Sequence, residues 1–353
     1  MTEPTNDEAR ATAEQMSIGR RLRQPRTIIS IAVPLVIIAV FVYLNGEQLG
    51  RVPELILQAN PLLFLLAFAV FYLGFPLRGY RWASLLRATG VKIKVKDSTE
   101  IIFLSWLVNC VVPAKLGDVY RAYLLKINST TSLSRTFGTV FIERIFDLFA
   151  IATLGLAAGF WSFRSGMPPA IQVVFVIGIV VMLALGLGMF TLRSFGRRMV
   201  VALPLPQRIV EFYDRFAEGV FGAVAVRALP RLGLVTGLIW ATESLRLYFV
   251  IQALGFPDVA LGISGAVFVA LIGSLLTAVP LSPAGLGIVE LGVAGVLNVA
   301  YGVPLPEATA IVLLDRVISV FSIIVLGSIA YALSKKPRGE ERVAEESLAG
   351  GAA

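Results

Sequence analysis

The chain has 353 residues, of which 57% are hydrophobic and 15% charged, and its mean hydropathy is +0.81. Soluble domains average about 45–50% apolar and about 25% charged residues, so this composition excludes an ordinary soluble domain and indicates a membrane protein. No histidine is present, which excludes histidine metal sites and Ser-His-Asp or Cys-His catalysis. The single Cys110 excludes an intrachain disulfide.

Six segments are apolar enough to cross a membrane. A helix needs about 20 predominantly apolar residues to span the ~30 Å hydrocarbon core. The predicted full spans are 27–44, 61–77, 137–160, 169–192, 232–254 and 308–333. The predicted fold class is therefore all-α, a polytopic integral membrane protein.

Two further apolar stretches are interrupted by proline. Residues 101–112 are followed by Pro113 and then by 116–125. A helix of twelve residues reaches only ~18 Å, so the sequence predicts a re-entrant helical hairpin here. The second stretch, 261–279 followed by 286–300, is long enough for either a re-entrant pair or two full spans.

Basic residues are distributed unequally between alternate connections. With both hairpins entering and leaving on one face, 26 of the 31 lysines and arginines fall on one side, two on the other and three within spans. By the positive-inside rule the basic side is cytoplasmic, so both termini are expected in the cytoplasm and the protein in the cell membrane. Arg78 is counted with the cytoplasmic connection 78–98. This distribution accounts for the net charge of +8 without a nucleic-acid partner.

The chain also contains an internal repeat. PAKLGDV at 113–119 matches PAGLGIV at 283–289 at five of seven positions. The flanking matches, in the same order, are Arg81 with Arg246 and Glu143-Arg144 with Asp315-Arg316. The offsets are 165, 170 and 172 residues. The units 61–160 and 231–334 begin on opposite sides in the predicted topology, which predicts an inverted repeat of the kind found in secondary transporters.

Several ionisable residues lie inside the predicted spans and hairpins. Because a charge at the bilayer centre costs ~2.5–3.5 kcal/mol on insertion scales, these residues must face one another or a hydrated cavity. Two interpretations stay open: ion pairs that hold the helices together, and the lining of a cavity for a charged substrate. The candidate substrate-binding residues are Arg81, Asn109, Lys115, Asp118, Arg121, Glu143, Arg144, Asp147, Glu243, Arg246, Ser282, Glu290, Asp315 and Arg316. No catalytic residue and no metal ligand are predicted.

The hairpin breaks offer a second way to bind an anion. The residues expected to break the helices are Pro113, Gly117, Pro283, Gly285 and Gly287. Proline removes a donor and glycine permits unusual dihedral angles. The restarted helix then presents free backbone N–H groups and a positive dipole end, which favour an anion such as phosphate.

Outside the spans, we expect disordered cytoplasmic tails at 1–26 and 335–353, on either side of one membrane domain at 27–334. The basic connection 193–231 is predicted to be cytoplasmic. Its mixture of arginine and apolar residues fits both an amphipathic stretch on the anionic inner leaflet and a solvated linker. Trp82, Trp106, Trp161 and Trp240 are interpreted as interfacial anchors.

A known family has these motifs in the same order. They are Arg81-Trp82, Asn109, Pro113-x-x-Leu-Gly-Asp118-x-x-Arg121, Glu143-Arg144-x-x-Asp147, Pro283-x-Gly-Leu-Gly with Glu290, and Asp315-Arg316. The pattern resembles the lysylphosphatidylglycerol synthase transmembrane-region family, the flippase-like domain of multiple peptide resistance factor, over about 27–334. The resemblance implies a polytopic bundle with two re-entrant hairpins, and movement of a lipid between leaflets. Bifunctional members carry a soluble aminoacyl-transfer domain after the membrane part, whereas 334–353 alone follow the last span here, so lysyl transfer is not expected.

The function expected from the sequence is a lipid flippase or scramblase, without enzymatic activity and without a cofactor. Its substrate would be a phospholipid or a polyprenyl-phosphate-linked lipid, whose headgroup passes through a charged cavity between the hairpins. Two alternatives stay open: an intramembrane lipid-modifying enzyme that uses paired carboxylates, and an accessory subunit that presents lipid to a partner enzyme. The partners left open are a lipid-modifying enzyme and a second copy of the chain.

Overall fold

The structure, a computed structural model, describes residues 25–334 except 114, 130, 204–205, 225, 258, 260 and 278–281. The secondary structure of this part is entirely helical. Its α-helices are α1 Pro25–Leu44, α2 Gly46–Leu49, α3 Val52–Leu57, α4 Pro61–Ala88, α5 Val95–Val111, α6 Leu116–Ile127, α7 Leu133–Ser162, α8 Pro169–Ser194, α9 Gly196–Ala202, α10 Gln207–Gly222, α11 Leu229–Leu254, α12 Ile263–Leu276, α13 Ile288–Tyr301, α14 Leu305–Arg316 and α15 Ser322–Leu333. Most of residues 1–26 and the tail 335–353 lie outside the described residues, so the disorder expected of both tails stays a prediction.

Within the part of the chain that the structure describes, five helical runs are long and apolar enough to cross a membrane. They are Pro61–Ala88, Ile171–Ser194, Leu229–Leu254, Pro283–Tyr301 and Leu305–Leu333. The protein is thus an all-α polytopic membrane protein, as predicted. Four of the runs overlap predicted spans, and the fifth is the second arm of the second hairpin. The predicted spans 27–44 and 137–160 fall on α1 and α7, which are not among the five.

The helix ends follow local chemistry. The side chain of Asn60 accepts hydrogen bonds from Leu62 N and Leu63 N, and Pro61 occupies the first turn of α4, where no amide donor is needed. Ser132 caps α7 by accepting from Arg135 N at 3.3 Å. Gly255 ends α11 in the left-handed conformation, with φ of 59°.

Helices α4 and α11 pack along each other at the centre of the bundle. These are the first long helices of the two repeat units. The core around them is aromatic and aliphatic, and Phe71, Trp82 and Leu86 of α4 are fully buried in it. Helix α5 packs on α4 and α15, and α7 packs on α10 and α12. Apolar contacts therefore hold together the helices that bear the charged residues.

The two hairpins are built from pairs of short helices. In the first, α5 has 17 residues and α6 has 12, or ~25 Å and ~18 Å of helix. In the second, α12 and α13 have 14 residues each, or ~21 Å. Each of these four helices by itself is shorter than the hydrocarbon core, and α13 reaches membrane length only together with the turn Pro283–Gly285 before it. Their entry and exit on one face stays a prediction.

The break in the first hairpin differs from its prediction. The left-handed residue is Lys115, with φ of 51°, and not Gly117. Gly117 is required for a different reason: a Cβ there would overlap the carbonyl oxygen of Ser105 and the side chain of Asn109. In the second hairpin, Gly285 and Gly287 do adopt positive φ, of 71° and 84°. Ala284, beside Gly285, also has positive φ, of 51°.

The basic connection 193–231 contains α9 and α10, and α10 is docked on α7. Gly138 and Gly219 lie at this contact, where a Cβ on either glycine would overlap the opposing backbone. A solvated linker does not describe α10, because its small residues let two helix backbones meet; contact of this amphipathic stretch with the inner leaflet stays a prediction.

Candidate functional site: a charged cavity between the two hairpins

A cluster of ion pairs lies where α4, α7 and α11 meet. Arg81 of α4 binds Asp147 through two nitrogens, at 2.7 and 3.1 Å, and Glu143 through Nε at 3.1 Å. Arg121 of α6 places Nη2 2.7 Å from the other oxygen of Glu143. Trp240 Nε1 donates to Asp147 at 3.2 Å. Both carboxylates therefore face guanidinium groups inside the protein.

The second repeat unit contains the matching pair. Arg246, the equivalent of Arg81, binds Asp315 through Nε at 2.8 Å and Nη2 at 3.1 Å. Asp315 is the equivalent of Glu143. Arg246 also donates from Nη1 to Glu243 at 2.9 Å. The same arginine–acid contact thus recurs in both units, which supports the correspondence inferred from the sequence.

A second type of pair ties each hairpin to the helix that follows it. Arg144 of α7 binds both oxygens of Asp118, in the first turn of α6, at 2.6 and 2.9 Å. Arg316 of α14 lies 2.8 Å from Glu290, in the first turn of α13. Arg144 and Arg316 are equivalent in the repeat. A carboxylate at the start of each restarted helix is favoured by the helix dipole.

Arg78 joins the two units to each other. Its Nη2 donates to Glu243 Oε1 at 2.5 Å, and its guanidinium stacks over Trp106 at 4.7 Å. The interpretation of Arg78 as a cytoplasmic topology residue is wrong, because α4 continues to Ala88 and buries Arg78 against α11. An arginine that forms an ion pair inside the bundle does not need contact with water to be stable there.

Two of the backbone N–H groups expected to be free at the restarted helices are occupied. Gly117 N donates to Asn109 Oδ1 at 2.8 Å. Gly287 N donates to Glu290 Oε2 at 2.6 Å. The prediction of open amide donors is wrong at these two positions, because side chains of the chain itself cap them. An anion at this site would therefore depend on side chains.

A cavity of about 280 Å³ lies between the two hairpins. Helix α5 also contacts the turn Pro283–Gly285 of the second hairpin. Charged residues of both repeat units line the cavity, and they are Arg78, Lys115, Arg144, Asp147, Glu243, Arg246, Asp315 and Arg316. The remaining walls include Trp106, Trp240 and aliphatic side chains.

Basic residues outnumber acidic ones in this lining. Five are basic and three acidic, a net charge of +2 for the lining itself; Asp118 and Glu290, which pair with Arg144 and Arg316, lie behind it. Charges in a water-poor interior interact far more strongly than at an exposed surface. The lining is therefore suited to an anion.

Comparison with known proteins agrees with this architecture. Residues 27–327 match the family described as the lysylphosphatidylglycerol synthase transmembrane region. The chain belongs to this family. The match covers the helices and both hairpins, and the resemblance read from the ordered motifs is confirmed.

Relatives of this family member occur in archaea. UPF0104 membrane protein MJ1078 of Methanocaldococcus jannaschii is 35% identical over 66% of this chain and 99% of its own length. Glycosyltransferase AglD of Haloferax volcanii is 26% identical over 91% of this chain and 56% of its own length. UPF0104 membrane protein PH1989 of Pyrococcus horikoshii is 24% identical over 88% of this chain and 97% of its own length.

The structure divides the predicted site residues into two groups. Those that line the cavity are Asn109, Lys115, Arg144, Asp147, Glu243, Arg246, Ser282, Asp315, Arg316 and the hairpin residue Gly285. Those that lie behind it in the ion-pair network are Arg81, Asp118, Arg121, Glu143 and Glu290. Ser282 lines the cavity, but its hydroxyl donates to the carbonyl of Leu286 at 2.8 Å.

Sequence reasoning missed Arg78, Trp106 and Trp240. Trp106 and Trp240 contact charged groups of the cavity, and Trp82 is fully buried under Arg121. The interfacial interpretation of these three tryptophans is wrong, because buried cations and carboxylates provide the polar partners that the interface would. Arg78 could have been found from the repeat, since an offset of 165 places it opposite Glu243.

Proposed function

We propose that the protein moves lipids with a negatively charged headgroup between the leaflets of the cell membrane. The headgroup occupies the cavity between the hairpins while the acyl chains stay in the bilayer. The observation that carries this proposal is a cavity with a lining of net charge +2, lined by both repeat units of an all-α membrane protein. Charged residues in membrane proteins typically mark substrate pathways.

The expected substrates are phospholipids and polyprenyl-phosphate-linked lipids. Membership of the lysylphosphatidylglycerol synthase transmembrane-region family supports phospholipids as substrates. A relative named a glycosyltransferase agrees with a role close to lipid-linked sugars. The proposal assigns no catalytic residue to the chain, so lipid would leave chemically unchanged. Both termini would lie in the cytoplasm, as the positive-inside rule predicts.

The repeated ion pairs suggest how headgroups could pass. Arg144 and Arg316 occupy equivalent places at the two hairpins, yet 38% of the Arg144 side chain is exposed and only 9% of that of Arg316. In this proposal the cavity is open at the hairpin of Arg144 in the conformation described. It opens at the other hairpin when Arg316 becomes exposed and Arg144 becomes buried. No Gly-x-x-x-x-Gly-Lys-Ser/Thr motif is present in the sequence, so movement would be passive or coupled to an ion gradient.

The test is translocation by purified protein in unilamellar vesicles. Trace phosphatidylglycerol with a fluorescent group on one acyl chain is added, and dithionite bleaches the outer leaflet. Protein-free vesicles lose about half of the signal by geometry, and active vesicles are expected to lose nearly all of it. Mass spectrometry of the recovered lipid should show no change of mass. A changed lipid mass would instead support the intramembrane enzyme. The proposal would be overturned if bleaching stopped at half of the signal for both anionic phospholipids and polyprenyl-phosphate lipids.

An accessory role is the second candidate, and one observation favours it. The match with AglD covers 56% of that glycosyltransferase, so a similar region occurs there within a longer protein. In that case this chain would present lipid to a partner enzyme. It would bind lipid alone, move none across the vesicle, and regain activity only with a co-purified partner.

A further inference from the structure

Two arginines of the cavity each have a terminal nitrogen without a hydrogen-bond acceptor among the described residues. The atoms are Nη1 of Arg78 and Nη2 of Arg316. The two residues are 7% and 8% exposed, so both are more than nine-tenths buried. A buried donor without an acceptor is costly. An acceptor supplied by a ligand would remove that cost.

In the part of the cavity that the structure describes, Lys115 provides a third donor group without an acceptor. It lies at the tip of the first hairpin and lines the cavity. Within the described residues it makes no ion pair, whereas each cavity arginine is paired with a carboxylate. Its ammonium group carries three donors.

The cavity is also small. Its volume of about 280 Å³ lies at the lower end of the ~300–1,000 Å³ that small-molecule sites typically have. A compact headgroup fits this space better than one bearing a further sugar or polyol. The small volume and the positive lining of the cavity thus both favour a phosphate headgroup without a further sugar or polyol.

We propose that the cavity prefers lipids whose headgroup is a phosphate monoester over phosphodiester lipids. A monoester carries about −1.5 to −2 charges near pH 7 and offers three terminal oxygens. A diester carries one charge and offers two such oxygens. The net charge of +2 of the lining, the unpaired ammonium group of Lys115 and the unpartnered nitrogens of Arg78 and Arg316 match the monoester. This inference rests on the proposed function, since it names the lipid class for the same cavity.

The test compares phosphatidic acid with phosphatidylglycerol of identical acyl chains, which differ only by the glycerol on the phosphate. Binding to the purified protein in phosphatidylcholine nanodiscs is measured by native mass spectrometry. We expect phosphatidic acid to bind about tenfold more tightly or better, as one additional charge-assisted hydrogen bond would give. Equal binding, or tighter binding of phosphatidylglycerol, overturns the proposal. Displacement by inorganic phosphate at the same concentration would assign the site to free phosphate and overturn the lipid part.

Two variants change the charge in the cavity and directly behind it in opposite directions. Lys115→Gln removes a cation without leaving an acid unpaired, and should reduce the preference for phosphatidic acid. Glu290→Gln releases Arg316 but keeps an oxygen for Gly287 N, and should increase the preference. Lys92→Gln removes the same charge from an exposed loop and should have no effect. If Lys115→Gln and Glu290→Gln both lowered or both raised the preference for phosphatidic acid, the charge argument would be contradicted. A general loss of structure would change the preference in the same direction in both variants.

Binding and translocation are measured on the same preparations, so the two ideas can fail separately. Phosphatidic acid that binds selectively but never crosses the bilayer would overturn the proposed function and leave the monoester site standing. Phosphatidylglycerol that crosses as fast as phosphatidic acid, with equal binding, would overturn the monoester site and leave the function standing.

Discussion

Arg78 and Glu243 occupy equivalent positions of the two repeat units and bind each other. They are separated by 165 residues, the offset that also relates Arg81 to Arg246. Residues related by a twofold rotation can touch only close to the rotation axis, so this pair marks the axis between α4 and α11. Two identical charges would repel each other strongly at that point. The equivalent positions have instead diverged into an arginine and a glutamate.

Arg78→Gln should destabilise the protein. Removing one partner of a buried ion pair costs about 3–5 kcal/mol, because the other charge stays buried with too little compensation. We expect a lower thermal unfolding temperature in detergent, followed by intrinsic tryptophan fluorescence. Arg87→Gln, at the exposed end of the same helix, is the matched control and should unfold like the wild type.

The double variant Arg78→Gln/Glu243→Gln completes the thermodynamic cycle. It removes both charges and leaves Arg246 bound to Asp315. We expect its unfolding temperature to lie above the value obtained by adding the two single losses. Strictly additive losses would show that the two side chains are not coupled.

Gly117→Ala should open the first hairpin. The added methyl group meets the carbonyl oxygen of Ser105 and the side chain of Asn109, and overpacking of this kind typically costs about 1–3 kcal/mol. Gly186→Ala makes the same change on α8, where nothing lies within 4 Å, and should be neutral or stabilising. Thermal unfolding of both variants checks this. Equal stability would mean that α5 and α6 do not approach each other at Gly117.

Ala284→Gly should stabilise the second hairpin. Ala284 has φ of 51°, a conformation that costs an L-residue roughly 1–2 kcal/mol and glycine little. Part of that gain is offset by the greater entropy of glycine in the unfolded chain, so the net increase is expected to be below about 1 kcal/mol. Ala184→Gly inside α8 should lower stability by about 1 kcal/mol. A fall in unfolding temperature for both variants would contradict the left-handed turn.

The predicted orientation can be checked with single cysteines in a Cys110→Ala background. Glu54 lies in the connection predicted to be external, and Lys92 in the one predicted to be cytoplasmic; both are exposed. A membrane-impermeant maleimide should label Glu54→Cys in intact cells and Lys92→Cys only after permeabilisation. The reverse result would invert the topology of the whole domain.

Much of the fold follows from the sequence because spans have a simple physical requirement. Uncharged runs of the right length must lie in lipid, and the predicted spans 61–77, 169–192, 232–254 and 308–333 are parts of membrane-length helices. The sequence predicts helix ends less accurately where a charged residue follows the apolar run. The second span was predicted to end before Arg78, but α4 continues for eleven residues to Ala88, because Arg78 and Arg81 are buried against other helices.

For the site, the sequence by itself determined which charges lie among apolar residues and which of them recur in the repeat. It could not determine their partners. Glu143 and Arg144 are neighbours in the chain, yet Glu143 binds Arg81 and Arg121 while Arg144 binds Asp118. Adjacent residues of a helix point about 100° apart, so helix packing decides which partner each one meets. Tertiary structure alone therefore decided which charges became ion pairs behind the cavity and which face the space between the hairpins.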